Sequence, residues 1–205
     1  MGSTRSLPDP KRESETSLEW ALDRRESVRE FLDEELSDDE VGQLLWACTG
    51  VNAHGKRTAP SAGARYPLEV YTVTSHGVEH YNPSGHLLRM HLASDVRTAL
   101  AEASWGQGFV RRAPLTMVLS AVMDRVQSRY GTERGLRYVL MEVGHAAQNV
   151  LLQAVALGLG AVPVGAFGDD PVQELLQLPT DHLPLYLLPI GRPAKRSQTA
   201  EEGVP

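Results

Sequence analysis

The chain has 205 residues, 41% of them hydrophobic and 22% charged, the balance of one soluble domain long enough to bury a core. Its formal net charge of −6 excludes the clustered positive surface that nonspecific nucleic-acid binding needs. The lone Cys48 excludes an intrachain disulfide, and no apolar run reaches the about 20 residues of a membrane span, so the expectation is a cytoplasmic protein with no nucleic-acid or membrane partner.

Residues 1–16 are rich in Ser, Pro and charge and read as a disordered lead without the apolar stretch of a signal peptide. Ser17 can cap a short helix to about Arg25. Ser37-Asp38-Asp39-Glu40 is a capping box, which opens a helix to about Cys48 with Val41, Leu44 and Leu45 inward. Cys48 in that apolar run reads as a buried, inert thiol. Residues 49–65 form a loop long enough to suspect function. The alternating, β-branched 68–73 is a strand. Residues 76–81 and 87–91 flank the turn Asn82-Pro83-Ser84-Gly85 and make a hairpin.

Ser94 is expected to cap a helix to about Ser104. The apolar 115–122 reads as a buried strand, and a long helix covers roughly 134–157, ending at Gly158. Residues 161–166 are a strand, Pro171 opens a short helix to Gln177, and 183–190 is the last strand. The folded domain is therefore 17–193, followed by a polar tail, 194–205. The class is α+β, with a mixed central sheet flanked by helices. The long helix is apolar nearly all round, so it is expected to be buried. Its polar stripe of Glu142, His145, Gln148, Asn149 and Gln153 needs partners. Those are core or dimer contacts, or a ligand met by His145 or Asn149.

Three segments could carry chemistry. Arg25-Glu26-Ser27-Val28-Arg29 offers two guanidiniums and a hydroxyl suited to a phosphate. Positions 25, 27 and 29 share a face if the backbone is extended; otherwise the cluster is a solvated surface. Pro60-Ser61-Ala62-Gly63-Ala64 is built of small residues that let backbone approach a planar ligand, with Gly63 free to take unusual dihedrals, or it is an ordinary loop. Gly158-x-Gly160 is no dinucleotide fingerprint, because its glycines follow a helix and precede a strand; Gly158 reads as a helix cap. A late basic cluster includes Lys195 and Arg196. No metal motif of the HExxH or Cys-x-x-Cys type exists, so no metal is expected.

In order and spacing, Arg24–Arg29, Pro60–Pro67 and Gly158–Phe167 resemble the nitroreductase superfamily of FMN enzymes over roughly residues 18–193. The central segment is similar to the SagB/ThcOx-type branch, which dehydrogenates azoline rings. The resemblance implies a nitroreductase-like fold in an obligate-type homodimer with the flavin site at the interface. It implies that Arg25, Ser27 and Arg29 grip the FMN phosphate, with Lys195 joining them. Pro60, Ser61, Ala62 and Gly63 would pack on the flavin, with Arg65 beside them. Pro163, Val164, Gly165 and Ala166 would cross its face, a backbone N–H approaching N5. Many flavin reductases of the superfamily carry Glu where Gly165 stands, so that side-chain contact is missing here.

The azoline dehydrogenases carry a Lys-Tyr pair before the long helix, where this chain has Arg129-Tyr130. Arginine stays protonated to about pH 12, so it cannot be a general base. That leaves proton removal to Tyr130 and anion holding to Arg129. The expected function is FMN-dependent hydride transfer between flavin N5 and a small organic or peptide-derived substrate, as SagB-type dehydrogenation. The alternatives are a nitro or quinone reductase with NAD(P)H as electron donor, and a flavin-binding subunit that needs a partner protein. Trp105, Gln107 and Phe109 are candidates to line the substrate pocket, with core packing the competing role for Trp105.

Overall fold

The structure, a computed structural model, describes residues 3–194. In chain order its elements are β1 (Thr4–Ser6), α1 (Leu18–Arg24), α2 (Asp38–Thr49), a 3-10 turn at Ala62–Ala64, β2 (Leu68–Thr74), β3 (Gly77–Asn82), β4 (Leu87–Leu92), α3 (Arg97–Ala103), α4 (Gly108–Arg112), β5 (Leu115–Val122), α5 (Asp124–Tyr130), α6 (Thr132–Ala156), β6 (Gly160–Ala161), α7 (Asp169–Leu175) and β7 (His182–Gly191). The strands form one seven-stranded sheet in the order β1-β4-β3-β2-β5-β7-β6. Among the described residues no helix is long and apolar enough to cross a membrane.

All residues of β5 are buried, because this central strand has packed layers on both faces. Leu115, Met117, Leu119 and Ala121 join the core under α2 and α6. Val118 joins a second core with Leu100, Val110 and Val172 of α3, α4 and α7. The sheet differs from the mixed one expected. Every strand pair is antiparallel, and the only parallel element among the described residues is an isolated bridge between Ser27 and Ala161.

Several helix ends are as the sequence dictates. Ser17 accepts from the Trp20 N–H, and both halves of the Ser37/Glu40 capping box form. α6 ends in a Schellman motif: Gly158 turns to φ +71° and the Leu159 N–H reaches back to the Ala154 carbonyl at 2.8 Å. Ser94, by contrast, caps nothing. Asp95 takes the task one residue later, its carboxylate accepting from the Arg97 N–H at 3.1 Å.

From Ser3 onward the lead is ordered where disorder was expected. β1 pairs with β4, Arg5 binds Glu79 through two bonds of 2.8 Å and also contacts Asp38, and Leu7 is buried. A bidentate pair and one apolar anchor outweigh the polar composition of that segment. The strand expected over 161–166 is ladder only at Gly160–Ala161, with Val164 bridging to Leu187 beyond it. α6 is buried on one face only: Val139, Val143, Ala146 and Val150 lie inside, whereas Leu136, Leu140 and Met141 are 41%, 49% and 53% exposed.

Candidate functional site

The candidate residues gather in two clusters, one near each end of α6. The first lies beside β6. The chain leaves α1 extended, Ser27 bridges to Ala161, and the Val28 N–H donates to the Ala161 carbonyl at 3.0 Å. Extended backbone turns the alternation of 25, 27 and 29 into geometry. Val28 points inward against Gly160, where an added Cβ would come within 2.6 Å of the Val28 Cβ. Ser27 and Arg29 stay exposed and Arg25 half-buried.

The Arg29 guanidinium lies over the Phe109 ring, 5.8 Å from its centroid. Arginine ion pairs among the described residues run through Arg5, Arg24, Arg97, Arg125, Arg137 and Arg192. Arg25 and Arg29 therefore have no carboxylate partner among them.

Downstream of β6 the ladder to β7 continues in pieces. The Val162 N–H donates to Pro189 at 3.1 Å and the Val164 N–H to Leu187 at 2.8 Å. Pro163 between them is half-buried. The chain then leaves the sheet. Gly165 and Ala166 are exposed, and no carbonyl of the described residues takes their amide hydrogens. A side chain at Gly165 would meet nothing nearer than Tyr186, at 3.9 Å, so space is open beside this backbone. The Gln107 amide donates to the Ala166 carbonyl at 2.8 Å. With Phe109 under Arg29 and Gln107 on Ala166, α4 draws the two segments together.

The second cluster is the Pro60–Arg65 loop with Arg129 and Tyr130. Gly63 has φ +58°, and a Cβ there would stand 2.5 Å from the Tyr130 hydroxyl. Tyr130 thus sits on the loop, stacked edge-on to Tyr138 at 5.0 Å with the Arg129 guanidinium 5.5 Å above its own ring. Pro60 is exposed and Ala62 half-buried. The Ser61 hydroxyl accepts from the Tyr66 N–H at 2.9 Å and closes the loop. Behind it Glu142 of α6 is 5% exposed. Burial pushes its carboxyl up to about 7, against the opposing pull of the Ser61 hydroxyl.

Arg65 is turned away from the space beside that loop. Its Nε donates to the Arg125 carbonyl at 2.7 Å and its Nη2 to Ser128 Oγ at 3.4 Å, so its guanidinium braces α5. Lys195 lies outside the described residues. Its neighbour Arg192 binds Glu34 at 3.1 Å and Glu40 at 2.8 Å.

The polar stripe of α6 is mostly spent on packing. Asn149 donates to the Ala47 carbonyl at 3.1 Å and Gln153 accepts from Gln43 at 3.1 Å, while His145 is exposed. Trp105 is no core residue: at φ +57° it is 72% exposed. Cys48 is buried, and burial raises its thiol pKa far above the physiological range.

The chain by itself keeps the two clusters apart. The Ser61 hydroxyl acts on the Glu142 carboxyl, whereas α1, which delivers Arg25, shares a cleft with Leu152 and Ala156. Between Glu142 and Ala156 the helix rises about 21 Å. The sequence did not single out Arg57, Thr49 or the nearness of Ser61 to Glu142. The spacing of Glu142 in a buried stripe was the one available signal.

Residues 22–192 match the family model described as the nitroreductase family. A protein of Methanocaldococcus jannaschii, named as a nitroreductase by inference, is 42% identical over 199 residues, covering 94% of this chain and 98% of that one. The FMN reductase (NAD(P)H) of Bacillus subtilis is 26% identical over 190 residues, 86% of this chain and 66% of its own. The trifolitoxin-processing protein TfxB of Rhizobium leguminosarum is 31% identical over 135 residues, 61% of this chain and 36% of its own. Among solved structures, a Ralstonia eutropha protein, likewise named as a nitroreductase by inference, superposes with a TM-score of 0.86 at 33% identity, covering 94% and 90% of the two chains.

Proposed function

The chain belongs to the nitroreductase family of oxidoreductases, and from that premise we propose that it binds FMN and moves hydride between a reduced nicotinamide and a small organic acceptor. The observation that carries the reading is the extended Arg25–Arg29 segment. It presents a hydroxyl and two guanidiniums without carboxylate partners among the described residues, and is linked through Phe109 and Gln107 to the exposed backbone of Gly165 and Ala166. This donor set fits the group. Paired guanidiniums with a hydroxyl suit a phosphate, and unpaired amide hydrogens beside open space suit the edge of a polar ring system.

When bound, the flavin supplies the two-electron chemistry. The chain's own residues do the rest. Arg25, Ser27 and Arg29 anchor the phosphate, and Arg29 is steadied by Phe109. Gly165 and Ala166 offer N–H donors where negative charge develops, with Gln107 fixing the Ala166 peptide. The Pro60–Gly63 loop, closed by the Ser61–Tyr66 bond, excludes water from a ring face.

Because the two clusters lie about 21 Å apart along α6, we read each protomer as carrying two half-sites that a second copy completes. The apolar residues left on the outer face of α6 support this homodimer. A second reading, dehydrogenation of a peptide-derived ring, is favoured by one contact, Tyr130 seated on Gly63 of the loop. It places the Tyr130 hydroxyl beside the loop, where, as the phenolate, it would take a proton from the substrate.

The test is the visible spectrum of the purified protein, followed by NADPH or NADH under anaerobic conditions. Bands of bound flavin that bleach within seconds are expected. Arg25→Ala with Arg29→Ala should fold and emerge colourless. A colourless wild type that FMN cannot reconstitute ends the proposal. Flavin bands that no nicotinamide bleaches move the reading to dehydrogenation, for which Tyr130→Phe should abolish turnover; Tyr130→Phe leaves a nicotinamide-driven reductase active.

A further inference from the structure

A polar cleft lies at one end of the sheet, where β2 begins and the β3–β4 hairpin turns. A small cavity of about 60 Å³ adjoins a surface cleft of about 250 Å³, and Arg57, Glu69 and Pro83 line both. Arg89 and His80 stand on the outer cleft, Arg125 and Glu142 on the inner cavity. Glu69 is the one carboxylate on the outer cleft among the described residues, and it is already engaged, by His80 at 2.7 Å and by Arg125 at 2.6 Å. Burial works to raise its pKa, yet the hydrogen bonds from His80 and Arg125 prevail and hold it below the ordinary range. Arg57 and Arg89 have no ion pair among the described residues. In a chain of net charge −6 this is a local excess of positive charge.

Two buried donors here have nothing to bind. Arg57 Nη1 and Thr49 Oγ1 lack a hydrogen-bond partner, and Thr49, on the cavity wall, is 6% exposed. A buried donor without an acceptor keeps its full desolvation penalty, and a charged one more so. The Arg57 guanidinium is held over the Tyr66 ring, 5.5 Å from its centroid, which orients it on the wall that cavity and cleft share.

We propose that this cleft is a binding site for a small oxyanion of the phosphate or carboxylate type, held by Arg57 and Arg89 with the Thr49 hydroxyl beneath. Planar guanidiniums match the paired oxygens of such groups, and the outer cleft has room for a small organic residue bearing one. The site is separate from the Arg25–Arg29 segment, and its inner cavity backs onto the Pro60–Arg65 loop through Tyr66 and Glu142.

The experiment is thermal unfolding of the purified chain in potassium phosphate, potassium acetate and potassium chloride at matched ionic strength. Phosphate, acetate or both should raise Tm by a few degrees in a saturable way relative to chloride. Whichever anion does so names the class. Arg57→Met and Arg89→Met should each lose that rise, while Arg25→Ala keeps it. In chloride Arg57→Met should melt no lower than wild type, because it removes a half-buried guanidinium whose Nη1 has no hydrogen-bond partner. The proposal is overturned by equal Tm in all three salts. It is equally overturned by a rise that survives Arg57→Met but not Arg25→Ala, which would place the anion on the other segment.

Discussion

Glu142 shows how one buried side chain can set a pH response. Its folded-state pKa is raised by burial to about 7, above the roughly 4.3 of a free glutamate. The folded protein therefore holds a proton that the unfolded chain has lost, and stability falls as pH rises between the two values. Glu142→Gln removes that dependence. At pH 8 it should be more stable than wild type by on the order of 1–3 kcal/mol, with the gap closing below pH 5. Denaturant unfolding across this range reads the difference, and parallel curves would show that Glu142 ionises freely. At this scale the sequence was legible where one residue type suffices. Gly63 was marked for unusual dihedrals and takes φ +58°. It was silent where two distant residues come together, as with Ser61 and Glu142, because no local pattern encodes a meeting made by the closing of loops. Arg65 had the right neighbours and the wrong direction, being spent on the Arg125 carbonyl.

At the scale of elements, the Arg25–Arg29 segment depends on a glycine that lies far from it in sequence. Gly160 admits Val28 to β6, and Gly160→Ala forces a Cβ to within 2.6 Å of the Val28 Cβ. Overpacking of this kind costs about 1–3 kcal/mol. It should also push Ser27 and Arg29 off their register, so loss of flavin retention should exceed what the drop in Tm explains. A variant that melts lower yet holds flavin fully would separate the bridge from the binding segment. Elements with a strong period or a complete capping signal were readable: the Ser37/Glu40 helix, the β3–β4 hairpin and the β5 run. α5 was not. It is one short helix pressed on α6 at Gly135, where an added Cβ would strike Gln127 at 2.8 Å, and packing rather than its own period makes it helical. Ser94 looked like a cap, but Asp95 binds the Arg97 N–H instead, and two adjacent candidates cannot be ranked from sequence.

For the molecule as a whole, the largest departure from expectation is the open face of α6. Leu136, Leu140 and Met141 there, and Leu18, Trp20 and Leu22 on α1, are all at least 41% exposed. Apolar side chains gathered on a helix face are the kind of surface a second copy would cover. Under the dimer proposed above, Leu140→Glu with Met141→Glu should give a monomer by sedimentation, and the monomer should lose flavin although Arg25 and Arg29 are untouched. A dimer that persists would move the interface elsewhere. The sequence led to a helix buried nearly all round; it could not say which part of that surface the chain covers by itself. The short strand β1 carries a different consequence. By lying along β4 and locking Arg5 to Glu79, it shields an edge that would otherwise offer bare N–H and C=O groups to any passing strand. Trimming these few residues would leave the centre of the fold intact and yet expose an adhesive border, so a truncated chain should clump long before it unfolds.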